Sequence, residues 1–241
     1  MKKIIIENTK TLIYALFIAI IIRSLIIQPF YIPSSSMEPN LLIGDRIFVT
    51  KYSYGYSKHS FPFSLPILKN KLFEKDPERG DLVVFKTPLD NRTDYIKRII
   101  GLEGDTIQFI DGILYFNNKK IILEKISSKR KIRCGPYDFE HSYFKENLIN
   151  DKTYVVVYRN QKSNASLKTI KFTVPKDHYF FMGDNRDCSN DSRIDVGYVN
   201  KINVIGKARF IFFSNDTIKG SVLKIWNWKN SFRIDRFFKK L

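Results

Sequence analysis

Three stretches of the chain carry side chains whose types and spacing suit covalent chemistry. The first is Ile32-Pro33-Ser34-Ser35-Ser36-Met37-Glu38-Pro39, a run of hydroxyls between prolines. A serine hydroxyl becomes a nucleophile when a neighbouring base removes its proton, although proline-flanked serines also make ordinary solvated turns. The second is Asp94-Tyr95-Ile96-Lys97-Arg98-Ile99-Ile100. Read as a strand, it places Tyr95, Lys97 and Ile99 on one face and Ile96, Arg98 and Ile100 on the other. A sheet covered on both sides must then bury or half-bury one of the two cations, whereas at a sheet edge both heads reach solvent. A desolvated lysine loses the hydration that favours its charged form, and a neutral amine can accept a serine proton. The third stretch, Phe181 to Arg193, reads FMGDNRDCSNDSR. It lacks the central Gly and terminal Glu of a calcium loop. It is expected to be a hydrogen-bonded loop in which Asp pairs with Arg and Ser189 is free to contact a catalytic group.

Position strengthens the first stretch. Thr11 to Ile22 reads TLIYALFIAIII without a charge, and the run resumes after Arg23 through Ile27. Counted over 11–28, with Arg23 snorkelling to the interface, this approaches the roughly 20 residues a membrane-spanning helix needs. Lys2, Lys3 and Lys10 precede it, which by the positive-inside rule places the N-terminus (1–10) in the cytoplasm and everything after Gln28 outside. A cleavable export signal starts the same way, but the bulky Gln28-Pro29-Phe30-Tyr31 offers no small-x-small cleavage site. Nine residue steps separate Ile27 from Ser36, so Ser36 lies at most about 30 Å from the end of the anchor. A nucleophile there acts on something held at the membrane surface.

Beyond the anchor, short apolar and β-branched runs recur: Arg46 to Lys51, Asp81 to Lys86, Asp94 to Ile100, Thr106 to Ile110, Ile113 to Phe116, Thr153 to Tyr158, Leu167 to Val174, His178 to Met182 and Val204 to Phe213. Asp111-Gly112 makes a tight hairpin turn between two of them. The expected fold is mainly β: an antiparallel catalytic sheet core from 29–116 and 167–218, with a smaller β-rich subdomain inserted at 117–166. Ser57 to Arg79, broken by Pro62, Pro66 and Pro77, reads as a long loop.

The chain has 41 Lys and Arg against 24 Asp and Glu, a net charge of +17, which fits either nucleic acid or an anionic membrane surface. Cys134 and Cys188 are far apart in sequence, and neither they nor His59, His141 and His178 have zinc-ligand or Cys-x-x-Cys spacing. The two cysteines could pair if the fold brings them together, but two unpaired, partly buried thiols are the expectation; no metal and no cofactor is expected, and a His-based triad is poorly supported.

Taken in order, one N-terminal span followed by QPFYIPSSSMEPNLLIGDRIFV, RGDLVVFK, DYIKRIIGLEGD and MGDNRDCSNDSR resembles the type I signal peptidases, serine proteases of the Ser-Lys class. The resemblance runs from the anchor to about Phe213, excluding 57–77 and 117–166. It implies Ser36 as nucleophile, Lys97 as general base, and Ser34 lending its hydroxyl to an oxyanion hole beside the Ser36 backbone N–H. It also implies that Ser189 hydrogen-bonds and orients Lys97, that Asp184, Arg186, Asp191 and Arg193 brace the loop, and that Ile32, Pro33, Met37, Leu41, Tyr95 and Ile96 line pockets for small residues. The implied substrates are signal peptides of exported preproteins, cut at the outer face of a bacterial cytoplasmic membrane. Three positions depart from the family pattern: Ser35 replaces Gly, Glu103 replaces Pro and Cys188 replaces Asn.

The segment Lys219 to Leu241 mixes Trp226, Trp228, Phe232, Phe237 and Phe238 with seven Lys or Arg. It suits either an interface with anionic lipid or a helix packed on the β core. A non-catalytic, membrane-anchored β domain binding an anionic partner also accounts for the charge, but not for the ordered serines and Lys97. Nothing in the sequence carries an RNA-binding or zinc signature, and no nucleic-acid partner is expected.

Overall fold

The computed structural model describes residues 2–64, 68–148, 152–216 and 231–241. The chain starts as helix α1 (Lys2–Ile21), whose large apolar side chains are exposed, extended by a π-helical turn at Ile22–Ile26. Together these residues are long and apolar enough to cross a membrane once. The helix begins nearer the N-terminus than the uncharged run suggests, and it ends earlier. Strand β1 (Ile27–Tyr31) takes over directly, so Ile27 and Gln28 belong to the sheet and not to the anchor. Pro29 is compatible with this because β1 is an edge strand.

The remaining strands follow in chain order: β2 (Asp45–Thr50), β3 (Leu82–Lys86), β4 (Asp94–Gly101), β5 (Thr106–Ile110), β6 (Ile113–Phe116), β7 (Lys119–Lys120), β8 (Leu123–Cys134), β9 (Tyr137–Asn147) and β10 (Thr153–Arg159). A helical turn, α2 (Asn164–Leu167), precedes β11 (Phe172–Thr173), β12 (His178–Met182), β13 (Val199–Asn200), β14 (Val204–Ser214) and β15 (Lys239–Lys240). The main sheet has the order β1-β2-β14-β3-β4-β12-β13, with β15 added beside β14. A four-stranded sheet, β11-β5-β6-β7, and a three-stranded sheet, β10-β9-β8, complete the fold. Every pair of named strands is antiparallel.

The main sheet is covered on both faces. In β3, Leu82 and Val84 join a core cluster with Ile32, Met37, Leu41, Ile47 and Val49, while Val83 and Phe85 join another with Ile99, Phe181 and Val204. A third cluster packs β5 and β6 against β10 and β12 through Phe109, Phe116, Val156, Tyr158 and Phe180. The strand β4 therefore runs through the interior between β3 and β12.

Two expectations are corrected. Leu167 to Val174 is mostly not strand: Leu167 closes a helical turn and only Phe172–Thr173 pairs, with β5. Cys134 and Cys188 are not free thiols but form a disulfide with a Cα–Cα separation of 5.5 Å, because the β8–β9 turn lays Cys134 beside the 183–193 loop. Of the C-terminal stretch only Ser231 to Leu241 is described, so the helix expected as one alternative for 219–241 lies largely outside the described residues. The described part runs back along the core sheet, with Phe232 and Phe237 on Phe213 and β15 on β14. Trp226 and Trp228 lie outside the described residues.

Candidate active site

The site forms where three segments meet. Ser36 sits in a short 3-10 turn, Ser35–Met37, with Ser34 extended before it. Burial of Met37 and Leu41 in the core fastens the turn to the sheet. Lys97 comes from β4 opposite Val83. It is 4% exposed and its neighbour Arg98 is 7% exposed, so this interior strand buries both cations where one was required. Lys97 Nζ lies 2.6 Å from Ser36 Oγ, a direct hydrogen bond. Burial drives the lysine pKa down from 10.5 to about 8, against the attraction of Asp191 and Asp184, which favour the charged form. The Tyr95 ring centroid is 5.5 Å from the amine.

The two buried cations meet different fates. Arg98 is neutralised by a two-pronged pair with Asp184, Nε to Oδ1 at 2.7 Å and Nη2 to Oδ2 at 2.6 Å. Lys97 has no salt-bridge partner among the described residues. The arrangement keeps one charge fixed and makes the other easy to discharge.

Around the serine, Ser34 Oγ lies 3.3 Å from Ser36 Oγ. The Ser36 carbonyl accepts from the Asn185 backbone N–H at 3.1 Å, and the Ser35 carbonyl accepts from Asn185 Nδ2 at 3.2 Å. Asn185 was not singled out from sequence, yet it fixes the backbone on which the nucleophile candidate rides. Gly183 explains how the loop comes so close: a Cβ there would lie 2.3 Å from Ser189 Oγ and 2.5 Å from the Ser36 carbonyl oxygen.

The loop is braced by ion pairs, though not between the partners that its own sequence suggests. Asp184 pairs with Arg98 and accepts from Asn40 Nδ2 at 2.7 Å. Arg186 is bound in two-pronged fashion by Glu146 of β9, with Nη2 to Oε1 at 2.6 Å. Only Asp191 and Arg193 pair within the loop, Nη2 to Oδ2 at 2.9 Å, and Asp191 also accepts the Gly183 N–H. Burial pushes the Asp191 carboxyl up, but Arg193 and these hydrogen bonds outweigh it and hold it below its ordinary value. Sequence spacing could not reveal Arg98 and Glu146 as partners, since they come from other strands.

Ser189 is buried beside Gly183, but its hydroxyl makes no hydrogen bond to Lys97; the lysine's side-chain bond goes to Ser36. Met37 and Leu41 are core residues and do not line the cleft. Ile32, Pro33, Tyr95 and Ile96 do, together with Phe30, Tyr31, Ile47 and Val84, around a cavity of about 450 Å³ that also exposes Ser34, Ser36, Lys97, Cys188 and Asn190. Two departures from the family pattern converge on one place: Cys188 bonds Cys134 at the β8 end, and Ser35 Oγ donates to the Arg133 carbonyl next to it. Glu103, the third, accepts from the Asp177 N–H at 2.9 Å, closing a distant loop.

A serine hydroxyl held by a discharged-prone amine, at the floor of an apolar cleft and a short way from a single membrane helix, has the parts of a membrane-anchored acyl-transfer enzyme of the serine–lysine type. Comparison with known proteins narrows this class. Residues 5–213 match the family model described as "Signal peptidase, peptidase S26". The chain is 41% identical over 264 residues to signal peptidase I of Rickettsia typhi, covering 98% of this chain and 97% of that protein. It is 42% identical to the signal peptidase I of Rickettsia massiliae over 252 residues and to that of Rickettsia conorii over 251, each covering 95% of this chain and 90% of the relative. The chain belongs to the signal peptidase family, peptidase S26.

Proposed function

We propose that this protein is a membrane-bound serine endopeptidase that removes N-terminal signal peptides from exported preproteins after small residues of the Ala-x-Ala type. Ser36 is the nucleophile and Lys97 the general base. The observation that carries the assignment is the 2.6 Å contact between Ser36 Oγ and a buried Lys97 amine that has no salt bridge among the described residues. When Lys97 is neutral, Ser36 donates its proton to Nζ as Oγ attacks the scissile carbonyl carbon. The resulting oxyanion is received by the Ser34 hydroxyl and the Ser36 backbone N–H. Lys97 then returns the proton to the departing amine, and afterwards takes one from the water that releases the acyl group from Ser36. Asn185 acts as a positioning residue through the Ser35 and Ser36 carbonyls, and the Asp184, Arg186, Asp191 and Arg193 pairs hold its loop.

An extended substrate suits the cleft. β12 pairs with β4 only at Arg98, Ile99 and Gly101, while residues Asp94 to Lys97 are bonded to β3 alone. The other edge of that segment is open to a peptide strand beside Ile32, Pro33 and Ile96, whose shallow apolar walls favour small side chains. Among the described residues, Lys2–Ile26 is the one segment long and apolar enough to serve as the anchor. With Lys2, Lys3 and Lys10 at its start, the N-terminus is cytoplasmic and the β domain lies on the outer face of a bacterial cytoplasmic membrane.

The test is cleavage of a preprotein bearing an Ala-x-Ala site by the purified full chain beside Ser36→Ala and Lys97→Ala. Wild-type cleavage lost in both folded variants is the expected result. Full activity in Lys97→Ala would remove the base, and no cleavage by the wild type would leave a binding domain.

A further inference from the structure

A second polar cavity, of about 130 Å³, lies at the junction between the anchor and the β domain. It is lined by Arg23 and Ser24 from the last turn of the anchor, Lys51 following β2, His59 from the 57–64 loop, and Lys86 and Asp94 from β3 and β4. Apart from Asp94, which also borders the active-site cleft at the start of the substrate edge, none of these residues has a part in the mechanism above. Three cations thus face one carboxylate, and that carboxylate is paired with Lys86 at 2.8 Å; Arg23 and Lys51 have no salt bridge among the described residues, though Lys51 Nζ donates to the Ser60 carbonyl and is attracted by Asp94. Burial, followed by repulsion from Arg23, pushes Lys51 down to about 8.

Two buried polar atoms in this cavity have no hydrogen-bond partner in the protein, Ser24 Oγ and His59 Nε2. Both side chains are more than nine-tenths buried, at 3% and 5% exposure. His59 Nδ1 is engaged by Ser64 Oγ at 2.9 Å. If that nitrogen accepts the Ser64 proton, Nε2 carries the ring hydrogen and presents a donor to the cavity. An orphaned buried donor costs about 1–3 kcal/mol, and two of them beside two cations that lack a salt bridge among the described residues have a common remedy in a compact anion with several acceptor oxygens.

We propose that this cavity is a binding site for a phosphate group, placed by the anchor at the depth of lipid headgroups. Ser24 and His59 donate to its oxygens, and Arg23 and Lys51 neutralise its charge. The group can belong to a phospholipid or be free in solution, and the two sources are separable. A headgroup locked there joins the anchor turn to the 57–64 loop and the start of β4, the strand that carries Lys97.

The full chain in neutral detergent is heated with increasing phosphatidylglycerol, with phosphatidylcholine, or with inorganic phosphate, and the melting temperature is followed. Phosphatidylglycerol should raise it saturably at lower mole fraction than phosphatidylcholine. Ser24→Ala and His59→Phe remove a donor without removing a charge, and each should raise the half-saturating lipid fraction about tenfold. The distal pair Lys239→Gln and Lys240→Gln should leave it unchanged. An equal shift with inorganic phosphate alone would support the site and make the ligand a soluble anion. No response to any of the three, or donor variants that titrate like the wild type while the distal pair weakens the response, would overturn the proposal in favour of diffuse attraction to a basic surface. The melting temperature of each variant without lipid reports whether it is folded.

Discussion

The discharge of Lys97 sets how the rate should vary with pH. With the amine at about 8 in place of 10.5, roughly a tenth of the molecules at pH 7 carry the neutral base, against about 3 in 10,000 for an exposed lysine, a gain of about 300-fold or ~3 kcal/mol. Cleavage of a fluorogenic Ala-x-Ala peptide, followed as kcat/KM, should rise about tenfold per pH unit below 8 and level off above it. The same burial burdens the fold. Unfolded lysine binds its proton more tightly than native Lys97, so the penalty is fully present below pH 8 and fades as pH rises towards 10.5. Lys97→Met should therefore abolish cleavage yet leave the protein as stable or more stable at pH 7, by up to about 3 kcal/mol less whatever the lost bond to Ser36 contributed. Denaturant unfolding at pH 7 and pH 10 measures it, and the advantage of the variant should shrink at the higher pH. A wild-type profile still rising at pH 10, or Lys97→Met markedly destabilised at pH 7, would refute the argument that a desolvated amine is the base.

Further tests address the frame around the dyad. Gly183→Ala should cut kcat/KM by more than about a hundredfold, since a Cβ at 2.3 Å from Ser189 Oγ and 2.5 Å from the Ser36 carbonyl must displace one of them; near-normal activity would show the loop can retreat without moving the serine. Ser34→Ala should lower kcat by about 100- to 1,000-fold with little change in KM if its hydroxyl receives the oxyanion. Reducing the Cys134–Cys188 disulfide, which spans 54 residues, should lower unfolding free energy by up to about 4 kcal/mol, read as a shift in the denaturant midpoint. An unchanged midpoint would mean that the β8–β9 end is held by other contacts.

Much of the sheet is legible because its strands alternate in the ordinary way or run apolar for their full length. Thr106–Ile110 and Ile113–Phe116 around Asp111-Gly112 fall where their turn chemistry places them. The β8–β9 hairpin is far less legible. Its strands read LEKISSKRKIRC and YDFEHSYFKEN, charged along both faces, and its burial rests on a few residues such as Ile132, His141 and Glu146. Tertiary pairing with the 183–193 loop decides their fate, and the strand pattern carries no record of it. The same holds at the site. Ser36 and Lys97 stand out by residue type, but the identity of Asp184's partner, the reach of Glu146 to Arg186 and the meeting of Cys134 with Cys188 are long-range pairings. Nor could alternation tell that Met37 and Leu41, near Ser36, would face inward and hold the turn down.

The junction at Ile26 and Ile27 carries a mechanical consequence. Helix passes into strand without a linker, Lys51 N–H bonds the Ile26 carbonyl and the Tyr56 hydroxyl bonds that of Leu25. The Ser36 hydroxyl thus follows the anchor with no flexible linker between helix and sheet, and under the proposed function its height above the lipid is a built-in gauge. Preproteins would be sorted by how far their cut point emerges, as well as by which residues flank it. A few glycines spliced in at this joint should blur the choice of cut position, seen by mass spectrometry of the products, while leaving hydrolysis of a short soluble peptide intact.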